Sequence, residues 1–335
     1  MKELISTGAL QTIALVGISK NSGKTTLLNS ILRESPNLAW GVFSTGSDGE
    51  EMDRLFKTPK PQVYLSPGAL FCCDAQTLDQ CGSGVELLKS EIYTGRKLYI
   101  AKAMIPLATQ ITGPSTVQKQ MHMVLTMRSL GAKKILIDGS LDRKSIALED
   151  DVDAILLLIG ASFGKLDEII GEIQRLLLLK SIPVSSRSKY IKDNFPNAEE
   201  TLIERGDTWY KSGLKSLINH EKALKELLDD DVSALYIPTS ITDNIYDKVI
   251  GNIMDLKPEL IVRHPECLKL SKDRLDTLLH KVSVRCLIPF KIIAFALNST
   301  AIASDPIEAD KFRTTIREHF PDQKFIDTME LENAR

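Results

Sequence analysis

The residues best suited to chemistry lie near the N-terminus, in the segment GISKNSGKTT at residues 17–26. A short apolar run at residues 13–16 precedes this segment, and a helical pattern of apolar residues follows it. A strand, a glycine-containing loop and a helix start form the frame of a phosphate-binding loop, in which backbone N–H groups and the helix dipole face an anion. We therefore expect a nucleotide cradle formed by Gly17, Lys20, Asn21, Ser22, Gly23, Lys24, Thr25 and Thr26.

Three residues of the loop have distinct expected roles. Gly23 lets the backbone approach the phosphates closely, because it has no side chain. Lys24 is the expected catalytic cation against the β- and γ-phosphates, and the Thr25 hydroxyl is an expected Mg²⁺ ligand.

The loop departs from the usual pattern in its spacing. Five residues separate Gly17 from Gly23, one more than usual, and Ile18 occupies the usual glycine position. This spacing resembles that of dethiobiotin synthetase, which belongs to a dimer-prone class of P-loop proteins. Members of that class often have a second, signature lysine in the loop, for which Lys20 is the candidate, although it lies one position closer to Lys24 than is usual.

A second site residue is predicted at the end of the apolar segment KKILID, residues 133–138. A buried strand that ends in aspartate is typical of a Walker B segment, in which Asp138 would hold Mg²⁺ opposite Thr25. The following loop contains Arg143 and Lys144. Either side chain could neutralise charge on a transferred phosphoryl group, with Arg143 as the named candidate, or the charges could belong to a solvated loop.

An acidic loop, TGSDGEEMD at residues 45–53, follows another predicted strand. Loops at the carboxyl ends of parallel strands face the ligand in doubly wound sheets. We expect Asp48 to take part in Mg²⁺ coordination or in positioning a water molecule, whereas Glu50 and Glu51 are weaker candidates. The alternative is a solvated surface loop.

The composition is that of an ordinary globular protein of 335 residues with a formal net charge of −2. Basic residues are interspersed with acidic ones, so we expect neither a nucleic acid nor an anionic membrane as partner. No apolar run is long enough to span a membrane, and the N-terminus is typical of a mature start. The five cysteines are irregularly spaced and predict reduced thiols and a cytoplasmic location.

The order of predicted elements indicates an α/β fold, a P-loop NTPase with a mostly parallel sheet. Residues 1–186 would form this domain, with a β-rich insertion at about residues 57–113. In the insertion, turn sequences at residues 66–68 and 95–96 predict two hairpins. We expect a helical connector at residues 187–231 and a smaller C-terminal α/β domain at residues 232–335, with its last strand at residues 292–297. The loop after this strand, with Asn298-Ser299-Thr300 and Asp305-Pro306, could contact a ligand or partner, but a simple connector is the favoured interpretation.

Four segments together resemble one family: GISKNSGKTT at residues 17–26, GVFSTGSDGEEMD at 41–53, ITGPS at 111–115 and LIDGSLDRKS at 136–145. The family is the P-loop ATPase-like reactivating-factor subunit associated with adenosylcobalamin-dependent lysine 5,6-aminomutase and ornithine 4,5-aminomutase. The resemblance covers residues 10–165 well and the remainder weakly. It implies ATP and Mg²⁺ as cofactors, the aminomutase as a partner, and a second, actin-fold ATPase-like subunit. A homodimer is also possible.

Several functions are compatible with these patterns. The first is an Mg-ATP-dependent, chaperone-like factor that releases damaged cobalamin from the mutase, with the loops at residues 45–53 and 139–145 as switches. The second is a small-molecule ligase or kinase of the dethiobiotin-synthetase-like class. A GTPase is less favoured because no Asn-Lys-x-Asp sequence is present, and a bare interaction module would not need Lys24, Thr25 and Asp138 together.

Overall fold

The computed structural model describes residues 10–19, 22–45, 62–93, 95–140, 146–300 and 307–333. The chain divides into two compact α/β units. The first comprises residues Met1–Ile169 and Ile292–Arg335, and the second comprises Ile170–Lys291. Among the described residues, no helix combines the length and the apolarity needed to cross a membrane.

The strands have the following bounds, in chain order. They are β1 (Thr12–Gly17), β2 (Trp40–Ser44), β3 (Val63–Leu65), β4 (Leu70–Cys73), β5 (Val85–Tyr93), β6 (Arg96–Ala103), β7 (Leu107–Thr109), β8 (Lys134–Ser140), β9 (Ala154–Gly160), β10 (Leu202–Arg205), β11 (Thr208–Lys211), β12 (Val232–Ile237), β13 (Ile241–Thr242), β14 (Glu259–Val262), β15 (Leu268–Lys269), β16 (Val284–Cys286), β17 (Ile292–Asn298) and β18 (Phe325–Asp327).

The α-helices are separated by these strands and by short 3₁₀ turns. They are α1 (Lys24–Glu34), α2 (Ala75–Cys81), α3 (Val117–Ser129), α4 (Leu166–Ser181), α5 (Ser188–Asn194), α6 (Glu221–Leu227), α7 (Asp243–Leu256), α8 (Lys272–Lys281), α9 (Ala309–His319) and α10 (Thr328–Asn333).

The first unit is built on a nine-stranded sheet in the order β18-β17-β9-β1-β8-β2-β4-β6-β5. The pairs from β18 to β4 are parallel, whereas β4–β6 and β5–β6 are antiparallel. All six residues of β1 are buried, as expected for a central strand covered on both faces. Leu27, Leu28 and Ile31 of α1 belong to the core cluster on this sheet, so the helix that follows β1 packs back onto it. The prediction of an α/β fold with a large, mostly parallel sheet is therefore confirmed.

One of the two predicted hairpins is confirmed and the other is wrong. Strands β5 and β6 pair antiparallel from Tyr93 and Arg96 onwards, across the predicted turn. The turn at residues 66–68 forms, since the Ala69 amide donates to the Ser66 carbonyl at 3.1 Å. It does not join paired strands, because β3 pairs with β7 and β4 pairs with β2 and β6.

The second unit contains a five-stranded sheet in the order β11-β10-β12-β14-β16. Strands β12, β14 and β16 are parallel, and α7 and α8 connect them. The prediction of a helical connector at residues 187–231 is wrong, because β10 and β11 form an antiparallel hairpin within it. The turn Gly206-Asp207 joins two runs of β-forming residues and is the sequence signal for this hairpin.

The predicted C-terminal domain at residues 232–335 also requires correction. Strand β17 pairs parallel with β9 in the first sheet, and β18 pairs with β17. The last segment of the chain therefore belongs to the first unit, and the second unit ends at Lys291. The predicted first boundary at residue 186 likewise differs from the division at Ile169, which falls inside α4. An apolar run such as β17 fits the interior of either sheet, so its periodicity could not assign it.

Candidate phosphate-binding site

The predicted phosphate loop connects the central strand β1 to the start of α1. Strand β1 ends at Gly17, and the next amide, of Ile18, donates to the Leu158 carbonyl of β9 at 3.1 Å. Gly23 precedes α1 with a φ of +88°, a left-handed conformation that glycine adopts without strain. Among the described residues, no side chain caps α1 and no acidic residue lies in its first turn. The helix start therefore presents unpaired amides and positive potential, which suit an anion.

The side chains of Ser22 and Lys24 lie close to Gly17. A Cβ atom built on Gly17 would lie 2.3 Å from the Ser22 Oγ and 3.1 Å from the Lys24 Nζ. The Lys24 side chain thus folds back from α1 over the loop, and its ammonium lies at the end of β1. A side chain at position 17 would displace Ser22 and Lys24, so glycine there leaves room for both.

Asp138 is placed beside this loop by the neighbouring strand. It lies opposite Leu15 of β1 and opposite Ser44 of β2. The residue as a whole is partly exposed, but its Oδ1 atom is buried and has no hydrogen-bond partner among the described residues. Burial raises the pKa of the Asp138 carboxyl, and the nearby positive charge of Lys24 opposes that shift. The structure therefore brings Lys24 and Asp138 to one end of β1 and β8.

Three buried polar side-chain atoms without partners among the described residues lie at this end of the sheet. Besides the Asp138 Oδ1, the Oγ atoms of Ser19 and Ser22 are buried and lack partners among the described residues. Buried polar groups in folded proteins are nearly always satisfied, so these three groups are suited to contact a polar ligand. Free amides, an ammonium and hydroxyls suit a polyphosphate, and a carboxylate suits Mg²⁺. The residues present fit both groups.

The other predicted site residues fall into two sets. Thr25 and Thr26 lie in the first turn of α1 and are partly exposed, which is compatible with their predicted contacts to a ligand. Lys20, Asn21, Asp48 and Arg143 lie outside the described residues, as do Glu50, Glu51 and Lys144. The predictions made for these seven residues stay predictions.

Asn298 is a neighbour of the candidate site that the sequence analysis raised only as the less favoured alternative. It ends β17, and its Cβ, Cγ and Nδ2 atoms lie 3.2–3.3 Å from the position of a Cβ on Gly23. For residues 298–300 the sequence favours a simple connector of a separate domain over a loop that contacts a ligand or partner. The available signal was a polar residue at the carboxyl end of a strand, which becomes informative once β17 is placed in the first sheet.

The ITGPS segment also reaches the carboxyl end of the sheet. The Ser44 amide of β2 donates to the Thr112 carbonyl at 3.2 Å. A Cβ on Gly113 would lie 1.9 Å from the Ser44 carbonyl oxygen, so only glycine permits this approach. The segment thus runs beside the strand that borders Asp138.

Comparison with known proteins does not add to this description. No protein-family model matches the sequence, and a search of curated proteins finds no match.

Proposed function

We propose that the chain is a P-loop NTPase that binds Mg-ATP at the end of β1 and hydrolyses it. The observation that supports this most directly is the convergence of Gly17, Ser22, Lys24 and Asp138 at the carboxyl ends of two adjacent parallel strands. Asp138 lies more than a hundred positions beyond the other three in sequence, yet each of the four has the type that the chemistry requires.

The residues of the site have separable tasks in this proposal. The amides at the start of α1 and the Lys24 ammonium bind the β- and γ-phosphates and offset the charge that develops during transfer. Thr25 and Asp138 hold Mg²⁺, which supplies further charge neutralisation and orients the phosphates. Water attacks the γ-phosphorus, the bond to the bridging oxygen breaks, and ADP and inorganic phosphate are released.

We further propose that this hydrolysis serves a reactivating factor for an adenosylcobalamin-dependent aminomutase in the cytoplasm. The resemblance of the four motif segments supports this assignment. The same resemblance supports an actin-fold ATPase-like second subunit as a partner. The Thr45 amide at the start of the acidic loop donates to the Asp138 carbonyl at 2.8 Å. A change at Asp138 on nucleotide turnover would thus act directly on the backbone of that loop, as a conformational switch requires.

The loop assignment is tested by Lys24→Ala, which removes the ammonium beside Gly17. We expect nucleotide binding or hydrolysis to be abolished, because the phosphate charge loses its main side-chain partner. Lys180→Ala, an exposed change at the end of α4, is the control and should bind nucleotide normally. Undiminished binding and hydrolysis by Lys24→Ala would refute the site.

Asp138→Asn tests the metal role separately from nucleotide binding. The amide has nearly the shape of the carboxyl but lacks the charge that attracts Mg²⁺. We expect the Mg²⁺-dependent hydrolysis rate to fall far more than nucleotide affinity measured in EDTA. Equal losses in both measurements would show that Asp138 has no specific metal role.

The biological role is tested by measuring ATP hydrolysis with purified aminomutase. We expect mutase that holds damaged cobalamin to stimulate ATP hydrolysis, and we expect its own activity to recover. A ligase or kinase remains the second candidate, because the ITGPS segment lies beside the strand bordering Asp138 and could line an acceptor site. ATP turnover that needs a small acceptor and ignores the mutase would support that candidate and contradict the reactivating role.

A further inference from the structure

A polar corner follows β17 and lies against the phosphate loop. We call residues 298–300 the Asn298 corner. The Asn298 Oδ1 accepts from the Thr300 hydroxyl at 3.2 Å, and the Asn298 carbonyl accepts from the Ala161 amide at 3.0 Å. The carboxamide nitrogen of Asn298 faces Gly23 and lies 3.3 Å from the place that a Cβ atom built on Gly23 would take. The corner therefore borders the residue that sets the start of α1.

Arg313 of α9 contacts this corner through Ser299. Its Nη1 donates to the Ser299 Oγ at 3.3 Å, and Ser299 is only 3% exposed. The guanidinium also forms ion pairs with Asp310, with Asp327 at 3.8 Å and with Glu330 at 3.8 Å. Arg313 is thus a half-buried junction between the corner and the last two helices.

The position of Arg313 is fixed by a buried negative charge. Asp327 has no exposed surface; its Oδ1 accepts from the Met329 amide at 2.7 Å, and its Oδ2 has no hydrogen-bond partner among the described residues. A buried carboxylate is tolerated only beside a compensating cation, and Arg313 provides it. The guanidinium cannot move away from Asp327 without cost, so Ser299 contacts a cation that is held in place.

We propose that Arg313 is a positioning residue of the nucleotide site. It holds the Asn298 corner against Gly23, and with it the amides at the start of α1 that face the phosphates. Loss of the guanidinium weakens nucleotide binding without any direct contact between Arg313 and the nucleotide. This inference rests on the proposed function, because it concerns the affinity of the same site.

Arg317 supplies a matched control on the same helix. It lies one turn further along α9 and pairs with Glu330 through two contacts of 2.6 and 2.9 Å. Both arginines pair with Glu330, whereas among the described residues Arg313 also contacts Ser299 and pairs with Asp310 and Asp327. Arg313→Gln and Arg317→Gln therefore both remove a charge from α9, and only the first removes the link to the corner.

The test measures ATP binding by titration calorimetry and thermal stability for both variants. We expect Arg313→Gln to weaken ATP binding roughly 3- to 30-fold, the range of mutations that act through a network. Arg317→Gln should remain within about twofold of wild type, and Arg313→Lys should recover part of the affinity. Equal loss in both glutamine variants, in proportion to their stability, would overturn the proposal.

A second measurement uses the nucleotide-free protein, so it remains decisive if ATP does not bind. The hydrogen-exchange rate of the Ala161 amide reports how firmly the Asn298 corner is held, because that amide donates to the Asn298 carbonyl. Exchange should accelerate in Arg313→Gln and not in Arg317→Gln. Unchanged exchange in Arg313→Gln would refute the positioning role. If wild-type protein binds no ATP but this difference appears, the proposed function fails while Arg313 still holds the corner.

Discussion

Acid is expected to destabilise the second unit through His264, which follows β14. The side chain is 2% exposed, and its Nδ1 accepts from the Glu266 amide at 3.1 Å. The ring packs edge-on against Phe290, with centroids 5.1 Å apart. Burial, reinforced by the positive charges of Lys269, Arg263 and Lys291, lowers the pKa of His264 from 6.5 to about 3. Glu266 also lies close by, but Lys269 at 2.6 Å and Arg175 at 3.6 Å already pair with it.

The direction of the effect follows from proton linkage. Between pH 6.5 and 3 the unfolded chain binds a proton at His264 that the folded chain excludes. The free energy of unfolding therefore falls as the pH drops below 6.5 and is regained as the pH rises. Each pH unit in this window costs about 1.4 kcal/mol, so the loss between pH 7 and pH 5 is about 2 kcal/mol.

Urea denaturation followed by tryptophan fluorescence measures this loss, since Trp209 lies in the core cluster of the second unit. His264→Asn keeps an acceptor for the Glu266 amide but cannot titrate, so its stability should change less between pH 7 and pH 5. His280→Asn is the control, because that side chain is 75% exposed. A difference below about 0.5 kcal/mol between the pH responses of wild type and His264→Asn would refute the linkage argument.

Two substitutions in the phosphate loop complete the predictions. Gly17→Ala places a methyl group 2.3 Å from the Ser22 Oγ and 3.1 Å from the Lys24 Nζ, so both side chains must shift. Calorimetric titration should show weaker ATP binding with little change in melting temperature, and normal affinity would show that the positions of these two side chains do not matter for binding. Gly23→Ala forces a non-glycine residue to adopt a φ of +88° and places its methyl group against Asn298. We expect a loss of about 1–3 kcal/mol in the free energy of unfolding, measured with urea. A stability equal to that of wild type would show that α1 begins differently.

Much of the first sheet could be predicted from the sequence. Strands β1, β2, β8 and β9 are short apolar runs that end at a glycine or a polar loop, and such runs identify buried parallel strands. Because the carboxyl ends of parallel strands meet at one edge, the position of Asp138 next to the loop of Lys24 followed from the strand assignments alone. The structure confirms that these two residues approach each other.

The parts that could not be predicted depend on which strands pair with each other. Leu202 and Trp209 lie in a segment rich in charges, and only the pairing of β10 with β12 makes it a sheet edge. The turn at residues 66–68 has the composition of a hairpin turn, yet β3 finds its partner in β7. Local propensity describes the turn at residues 66–68 correctly, whereas the segment around Leu202 and Trp209 is predicted as helical, and in both cases partner choice is decided by packing at a distance.

The placement of β17 shows how this limitation affects the site. Strands β9 and β17 are adjacent and parallel, so the segment between them is a crossover that has been expanded into the second unit. From sequence alone, the length of that segment makes β17 look like part of a separate domain. Its true position brings Asn298 to Gly23, and Arg313 with it, so the start of α1 is bordered by residues from both ends of the chain. A chain ending at Lys291 would lack β17 and leave β9 as an edge strand that pairs only with β1. Residues 17–26 would then keep their own motif but lose the neighbouring Asn298.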